Sequence, residues 1–187
     1  METPDTELMA RLAAGDDLAL NTLMQRWGDR VTAFLLRTTG RREVALDLAQ
    51  EAFVKLYRAR DRYRPTANFS TYLFAIASNL ARNHARWQAR HPTVSLDDEG
   101  FHNSPREAMD PQDTPDASAL AREKLCAVRE AFAALPSDIR EPMTLLVHEG
   151  MSYADIASVL GCSVKAVENR IYRARQVLRE RLAGLRA

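Results

Sequence analysis

The chain has 187 residues, of which 46% are hydrophobic and 27% charged, and its formal net charge is +1. That length suits one domain or two small ones, and the composition is that of a folded soluble protein. No apolar run approaches the roughly 18–20 residues that a bilayer span needs, so no membrane insertion is expected. METPDTELMARL lacks the basic-then-apolar order of a secretory leader. The two cysteines, Cys126 and Cys162, form no CxxC or Cys/His cluster, so a disulfide framework is not expected either. The default reading is a cytoplasmic protein.

The small net charge conceals a segregation. Residues 1–90 carry 14 Lys/Arg and 10 acids, and residues 119–187 carry 11 and 8. Between them, residues 91–118 hold seven acids against Arg106 alone. Two mildly basic bodies joined by an acidic strip is the actual electrostatic picture.

In chain order, almost every periodic segment predicts helix. Leu8, Leu12 and Ala13 form one face of a short helix ended by Gly15. Leu20, Leu23, Met24 and Trp27 begin a longer stripe that continues through Val31, Phe34 and Leu35 to Gly40. A third helix turns Val44, Leu48, Phe53, Leu56 and Tyr57 inward, which leaves Asp47, Gln50, Glu51 and Val54 on its outer face. Asp47 and Glu51 are helical neighbours; such an acidic face repels DNA and is either solvated or reserved for a basic protein partner.

RYRPTANFSTYLFAIASNLARNHAR, residues 62–86, is unusual in crowding four arginines and four aromatic rings around a turn. Single-stranded nucleic acid is held by rings that stack on bases beside a basic groove, and Tyr63, Phe69 and Tyr72 with Arg62 and Arg64 supply those ingredients. The same rings would equally serve as a small hydrophobic core under the loop. From about Ser70 a helix buries Leu73, Ile76, Ala77 and Leu80, and the wheel turns Ser78, Asn79, Arg82, Asn83 and Arg86 towards solvent. His84 falls on the apolar side and reads as a packed core histidine.

HPTVSLDDEGFHNSPREAMDPQDTPDAS, residues 91–118, has four prolines and little apolar content, which reads as an extended, solvated linker. Helical signals resume at Leu120 and Leu125 and run through Val128, Phe132 and Leu135 to Pro136. Ser137-Asp138 is placed to cap the next helix, which ends near Gly150. The expected architecture is therefore all-α: a first body over 1–92, a linker over 93–119 and a second body over 120–187.

The strongest local signal is SYADIASVLGCSVKAVENRIYRARQVLRERL, residues 152–182. A short helix with Ile156, Ala157 and Leu160 inward meets a glycine turn at Gly161, and Ser163 then offers an N-cap oxygen to a long basic helix. This is the helix-turn-helix arrangement, whose second helix enters the major groove. Val164, Val167, Ile171, Ala174 and Leu178 share the inward stripe, while Lys165, Ala166, Asn169 and Arg173 fall opposite. Arg170, Arg175, Arg179 and Arg181 sit on the flanks, placed for phosphates. Asn can pair with adenine and Lys or Arg with guanine; Glu168 is the awkward member, an acid near phosphate that could accept from cytosine. The plainer alternative is an amphipathic helix with a solvated basic face. No phosphate-cradling loop, Ser/His/Asp ordering or metal-ligand cluster appears, so neither an enzyme nor a cofactor is expected.

Taken in order, DLAQEAFVKLYRA, DRYRPTANFSTYLFAIASNLARNHAR and SYADIASVLGCSVKAVENRIYRAR resemble the extracytoplasmic-function (ECF) sigma factors of bacteria. These are small RNA polymerase sigma factors with two domains. The resemblance implies a sigma region 2 helical bundle over 1–92 and a sigma region 4 helix-turn-helix over 120–187. It implies that Asp47, Gln50, Glu51 and Val54 dock on core RNA polymerase. Tyr63, Asn68, Phe69, Ser70 and Tyr72, with Asn79, Arg82, Asn83 and Arg86, would capture the minus-ten element of promoter DNA as single-stranded non-template bases. Ser163, Lys165, Ala166, Glu168, Asn169, Arg170, Arg173 and Arg175 would meet the duplex minus-thirty-five element. The acidic linker would pass near the RNA exit path, and an anti-sigma factor would cover the same surfaces. The active protein would sit on the nucleoid. Many relatives carry an aspartate at Asn83 and a basic residue at Glu168, so promoter preference does not transfer. The rival reading is a free-standing helix-turn-helix regulator, which predicts a dimer; no spare heptad or dimer helix is visible. A protein-interaction adaptor would leave the basic terminal helix idle.

Overall fold

The computed structural model describes residues 3–64, 68–91 and 115–183, and among them every regular element is helical. The order is α1 (Asp5–Ala13), α2 (Leu18–Thr39), α3 (Arg42–Arg58), one turn of 3-10 helix (Arg60–Arg62), α4 (Phe69–Arg90), α5 (Pro115–Ala133), α6 (Ser137–Glu149), α7 (Tyr153–Leu160) and α8 (Val164–Arg181). Most of the linker predicted over 93–119 lies outside the described residues, and α5 begins at Pro115.

α1 to α4 form the first body. α2 is its axis, packed by α1, α3 and α4. The stripe of Leu23, Val31, Phe34 and Leu35 is fully buried, as are Leu56, Leu73 and Phe74 from the facing helices. Phe34 and Phe74 meet edge to face with centroids 5.2 Å apart, and Trp27 lies against Phe74 in the same manner. α2 stops because Gly40 adopts φ 75, a left-handed conformation that L side chains rarely take, and its N–H bonds the Leu36 carbonyl. Met24, expected inward, is 40% exposed, at the margin of the stripe. Leu125 and Val128 on α5 are exposed as well.

α6, α7 and α8 build the second core from Ile139, Leu145, Ile156, Leu160, Val167 and Ile171. Ser137 and Asp138 do not cap α6. The chain enters from Pro136 in an extended conformation, Ser137 is already helical, and no side-chain cap bond forms. The N–H groups of Ile139 and Arg140 both bond the Pro136 carbonyl, which begins the helical ladder.

The two bodies pack on one another, α4 against α7 and α2 against α6. The seam is rich in polar contacts. Thr71 donates to Asp155 Oδ1 at 3.1 Å, and the Ser78 hydroxyl donates to Glu141 Oε1. Arg82 Nη1 donates to the Leu160 carbonyl at 3.0 Å. Arg140 Nη2 reaches the Thr38 carbonyl at 3.2 Å while Nη1 holds the Ala133 carbonyl at 2.7 Å. Arg30 pairs with Glu149 at 2.9 Å. Ser78, expected to face solvent, is consequently fully buried: the helical wheel of α4 is unaltered, but α6 and α7 cover the side it occupies.

Candidate nucleic-acid interface

The helix-turn-helix is set by two serine caps and one glycine. Ser152 Oγ accepts from the Asp155 N–H at 3.1 Å and donates to its carboxylate at 2.6 Å, so the start of α7 is held twice. Gly161 takes φ 64, turning the chain through 162–163. Ser163 Oγ then accepts from the Ala166 N–H at 3.2 Å, which satisfies one of the free donors at the start of α8. Ser163 thus spends its hydroxyl on the cap, and Ala166 is half-buried. Val167, Ile171 and Ala174 face inward as expected, whereas Val164 is 42% exposed.

On the outer side of α8, Lys165, Asn169, Arg173 and Arg175 are exposed. Lys165 Nζ lies 2.9 Å from Glu168 Oε2, so the acid that seemed out of place is matched by its neighbour one turn back. Arg173 leans towards Asp138 at 3.3 Å, an exposed pair. Arg170, expected on the phosphate flank, is instead half-buried, with Nη1 3.7 Å from Cys162 Sγ; its charge also acts on Glu141 in the seam. Sequence reading passed over Tyr172, 65% exposed between these residues, because a ring on a basic helix breaks no periodicity. Its hydroxyl accepts from Gln176 at 2.9 Å.

At the start of α4, Tyr63, Phe69 and Tyr72 do come together. Tyr63 meets Tyr72 at 5.1 Å and Phe69 at 6.4 Å between centroids. Phe69 is not on the outer surface: it is 3% exposed and packs against Trp27, so here it belongs to the core beneath the loop. Burial raises the phenol pKa values of both Tyr63 and Tyr72, which keeps both rings neutral. Asn68, Asn79, Asn83 and Arg86 are exposed, and Ser70 is half-buried. Arg82 is tied to Asn79 Oδ1 at 3.0 Å as well as to Leu160. His84 is not a core histidine; it is half-buried, with its ring against Trp87.

Asp47, Gln50, Glu51 and Val54 all lie exposed on one side of α3, with Lys55 3.5 Å from Glu51. Among the described residues no group of three or more His, Cys, Asp or Glu is arranged to hold a metal ion. No described helix is long and apolar enough to cross a membrane.

A helix-turn-helix on one body and an acid-free helix carrying amides and arginines on the other define a two-part DNA-binding protein. Residues 23–91 match the family described as Sigma-70 region 2, and residues 127–178 match Sigma-70, region 4. The RNA polymerase sigma-H factor of Pseudomonas aeruginosa is 34% identical over 184 residues, covering 97% of this chain and 95% of the relative. The ECF RNA polymerase sigma-E factor of Escherichia coli K12 is 34% identical over 185 residues, with the same coverages. The solved structure of CnrH in complex with the cytosolic domain of CnrY is 29% identical, covers 96% of this chain and 97% of that one, and superposes with a TM-score of 0.69. The chain belongs to the ECF sigma factors, with region 2 preceding region 4. Similarity running through both bodies does not favour the free-standing regulator.

Proposed function

We propose that the chain binds core RNA polymerase, directs it to promoters and helps melt them. The observation that carries this reading is full-length similarity to sigma factors in a chain whose two candidate DNA surfaces lie on separate bodies. The exposed side of α3 bearing Asp47, Gln50, Glu51 and Val54 is the docking surface for core polymerase. Asn169, Lys165 and Arg173 on α8 read the upstream duplex, with Arg175 on the phosphates. Asn68, Tyr72, Asn79, Asn83 and Arg86 on α4 engage the downstream non-template strand, and Phe69 and Tyr63 shape the surface that receives it. Catalysis belongs to the polymerase; binding energy from the two protein-held contacts offsets unstacking, which costs a few kcal/mol per extruded base.

Arg82 joins this work only when the bodies part, because its guanidinium is engaged across the seam, while Arg170 is held within its own body beside Cys162. The packed form is the resting form, and an anti-sigma factor that spans both bodies would hold it. CnrH was solved in complex with the cytosolic domain of CnrY, which supports a protein partner for this fold. The protein acts in the cytoplasm, on the nucleoid when active.

The test is abortive transcription by core polymerase with this chain on a pooled promoter library. Stable association and start-specific transcripts are expected. A dimer of the chain that holds duplex DNA without binding core would replace this reading with the regulator.

A further inference from the structure

Asp5 opens α1 and ties it to α2 twice. Its Oδ2 accepts from the Trp27 indole N–H at 3.2 Å, and its Oδ1 accepts from Arg26 Nη1. The same Arg26 nitrogen donates to the Thr3 carbonyl at 3.0 Å, so the chain ahead of α1 is held as well. Trp27 is 7% exposed, and an indole has a single polar donor. With Asp5 as acceptor, that buried donor is satisfied only while the ring keeps this orientation.

The orientation is passed on to the start of α4. Phe69 meets Trp27 edge to face at 5.7 Å between centroids, Tyr63 rests against Phe69, and Tyr72 against Tyr63. α1 also packs on the 3-10 turn Arg60–Arg62, directly ahead of Tyr63. Tyr63 Oη is buried and has no hydrogen-bond partner among the described residues. Burial first, and then the charge of Asp5, raises its pKa, so the carboxylate lies beside this ring too. Arg30 covers the Trp27 ring from 4.4 Å, but it also reaches Glu149 of the second body. The Asp5 bond lies wholly within the first body and persists when the bodies part.

We propose that Asp5 is a positioning residue for promoter opening: through Trp27 it fixes the seat of the Phe69, Tyr63 and Tyr72 rings that receive the unpaired downstream bases. The proposal rests on the promoter-melting function above. It adds a residue of α1, ahead of residues 23–91 that match region 2. Without Asp5 the indole N–H is buried and unsatisfied, so the ring turns towards another acceptor or admits water. Either response moves the edge on which Phe69 rests. Unpaired bases are held by ring faces, and faces that must first be reset hold them less well.

The experiment follows opening by the holoenzyme through 2-aminopurine placed in the downstream non-template element of a promoter that it selects. The chains compared are wild type, Asp5→Ala, Asp5→Asn, Trp27→Phe and the pair Asp5→Ala with Trp27→Phe. Asp5→Ala should slow opening by roughly fivefold or more, with core association and upstream duplex binding unchanged. Asn keeps an acceptor for the indole, so Asp5→Asn should recover most of the rate. Phe has no N–H to leave unsatisfied, so in the Trp27→Phe background Asp5→Ala should cost less than about twofold more. A purely structural role predicts otherwise: core docking through α3 of the same body would weaken, and the loss would be equal in both backgrounds. That pattern, an unfolded Asp5→Ala chain, an Asn variant no better than Ala, or opening at the wild-type rate in Asp5→Ala each overturns the proposal. If wild type gives no start-specific transcript, it is the sigma reading itself that fails.

Discussion

Arg82 of α4 donates to the carbonyl oxygen of Leu160 at 3.0 Å and, through its other nitrogen, approaches that of Val159 at 3.4 Å. Those carbonyls end α7, where helix geometry leaves acceptors without intrahelical donors and where the dipole favours a cation. An arginine proposed to work on promoter DNA thus caps a helix of the opposite DNA-reading body.

Because Ser78 and Glu141 are buried together beside Arg82, the seam should not tolerate a second carboxylate. Ser78→Asp would set two acids against each other out of water, a penalty of several kcal/mol. The expected result is separation of the bodies with both folds intact, seen as a larger radius of gyration by X-ray scattering with unchanged helical circular dichroism. An unchanged radius would mean that other contacts dominate the seam.

Acid should tighten the same seam. Burial raises the Glu141 pKa above its ordinary 4.5, outweighing the Ser78 hydroxyl and the charges of Arg82 on α4 and Arg170 on α8. Glu149 is raised for the same reason against Arg30 and Arg37 on α2. The packed form therefore binds protons more tightly than the open form. Its stability is greatest below the ordinary carboxylate pKa and is lost as pH rises through the raised values. Interbody energy transfer measured down from neutral pH should increase, and Glu141→Gln should flatten the curve. A rise in separation on acidification would reverse the sign and defeat this account.

The core of the first body depends on a cluster of edge-to-face rings. Phe74 is fully buried against Phe34 and Trp27, so Phe74→Ala should cost about 3–5 kcal/mol. Chemical denaturation of the first body is the measurement; a loss under 1 kcal/mol, by the same scale, would require the site to collapse fully around the gap.

For the recognition helix, Asn169→Ala should change which upstream sequences are preferred. Arg175→Ala should weaken binding to all sequences and lower the salt slope by about one. Arg170 is the poorer probe, since its side chain is half-buried beside Cys162. Equal, sequence-blind losses from Asn169 and Arg175 would show that neither reads bases.

Much of this was legible from local chemistry. Gly161 and Ser163 announce the helix-turn-helix because a left-handed turn and a cap are specified by the residues that form them. Periodicity likewise placed Asp47, Gln50, Glu51 and Val54 together on the outside of α3. It could not place Ser78, whose exposure depends on which surface of another body arrives. Glu141 was invisible for the same reason, since an acid in a helix reads as solvated until something covers it. Phe69 shows the remaining ambiguity: sequence supplies an aromatic ring, while only packing decides whether its face is offered or buried.

The choice of side chains at the seam has a consequence for synthesis. α1 to α4 leave the ribosome before α6 and α7 exist, and domains generally fold as they emerge. The groups that this first body later buries against the second include the hydroxyls of Thr71 and Ser78, which water satisfies as readily as Asp155 and Glu141 do. The nascent body can therefore wait for its partner without presenting those positions as adhesive surface to neighbouring chains, and completion of the seam is deferred until translation has ended.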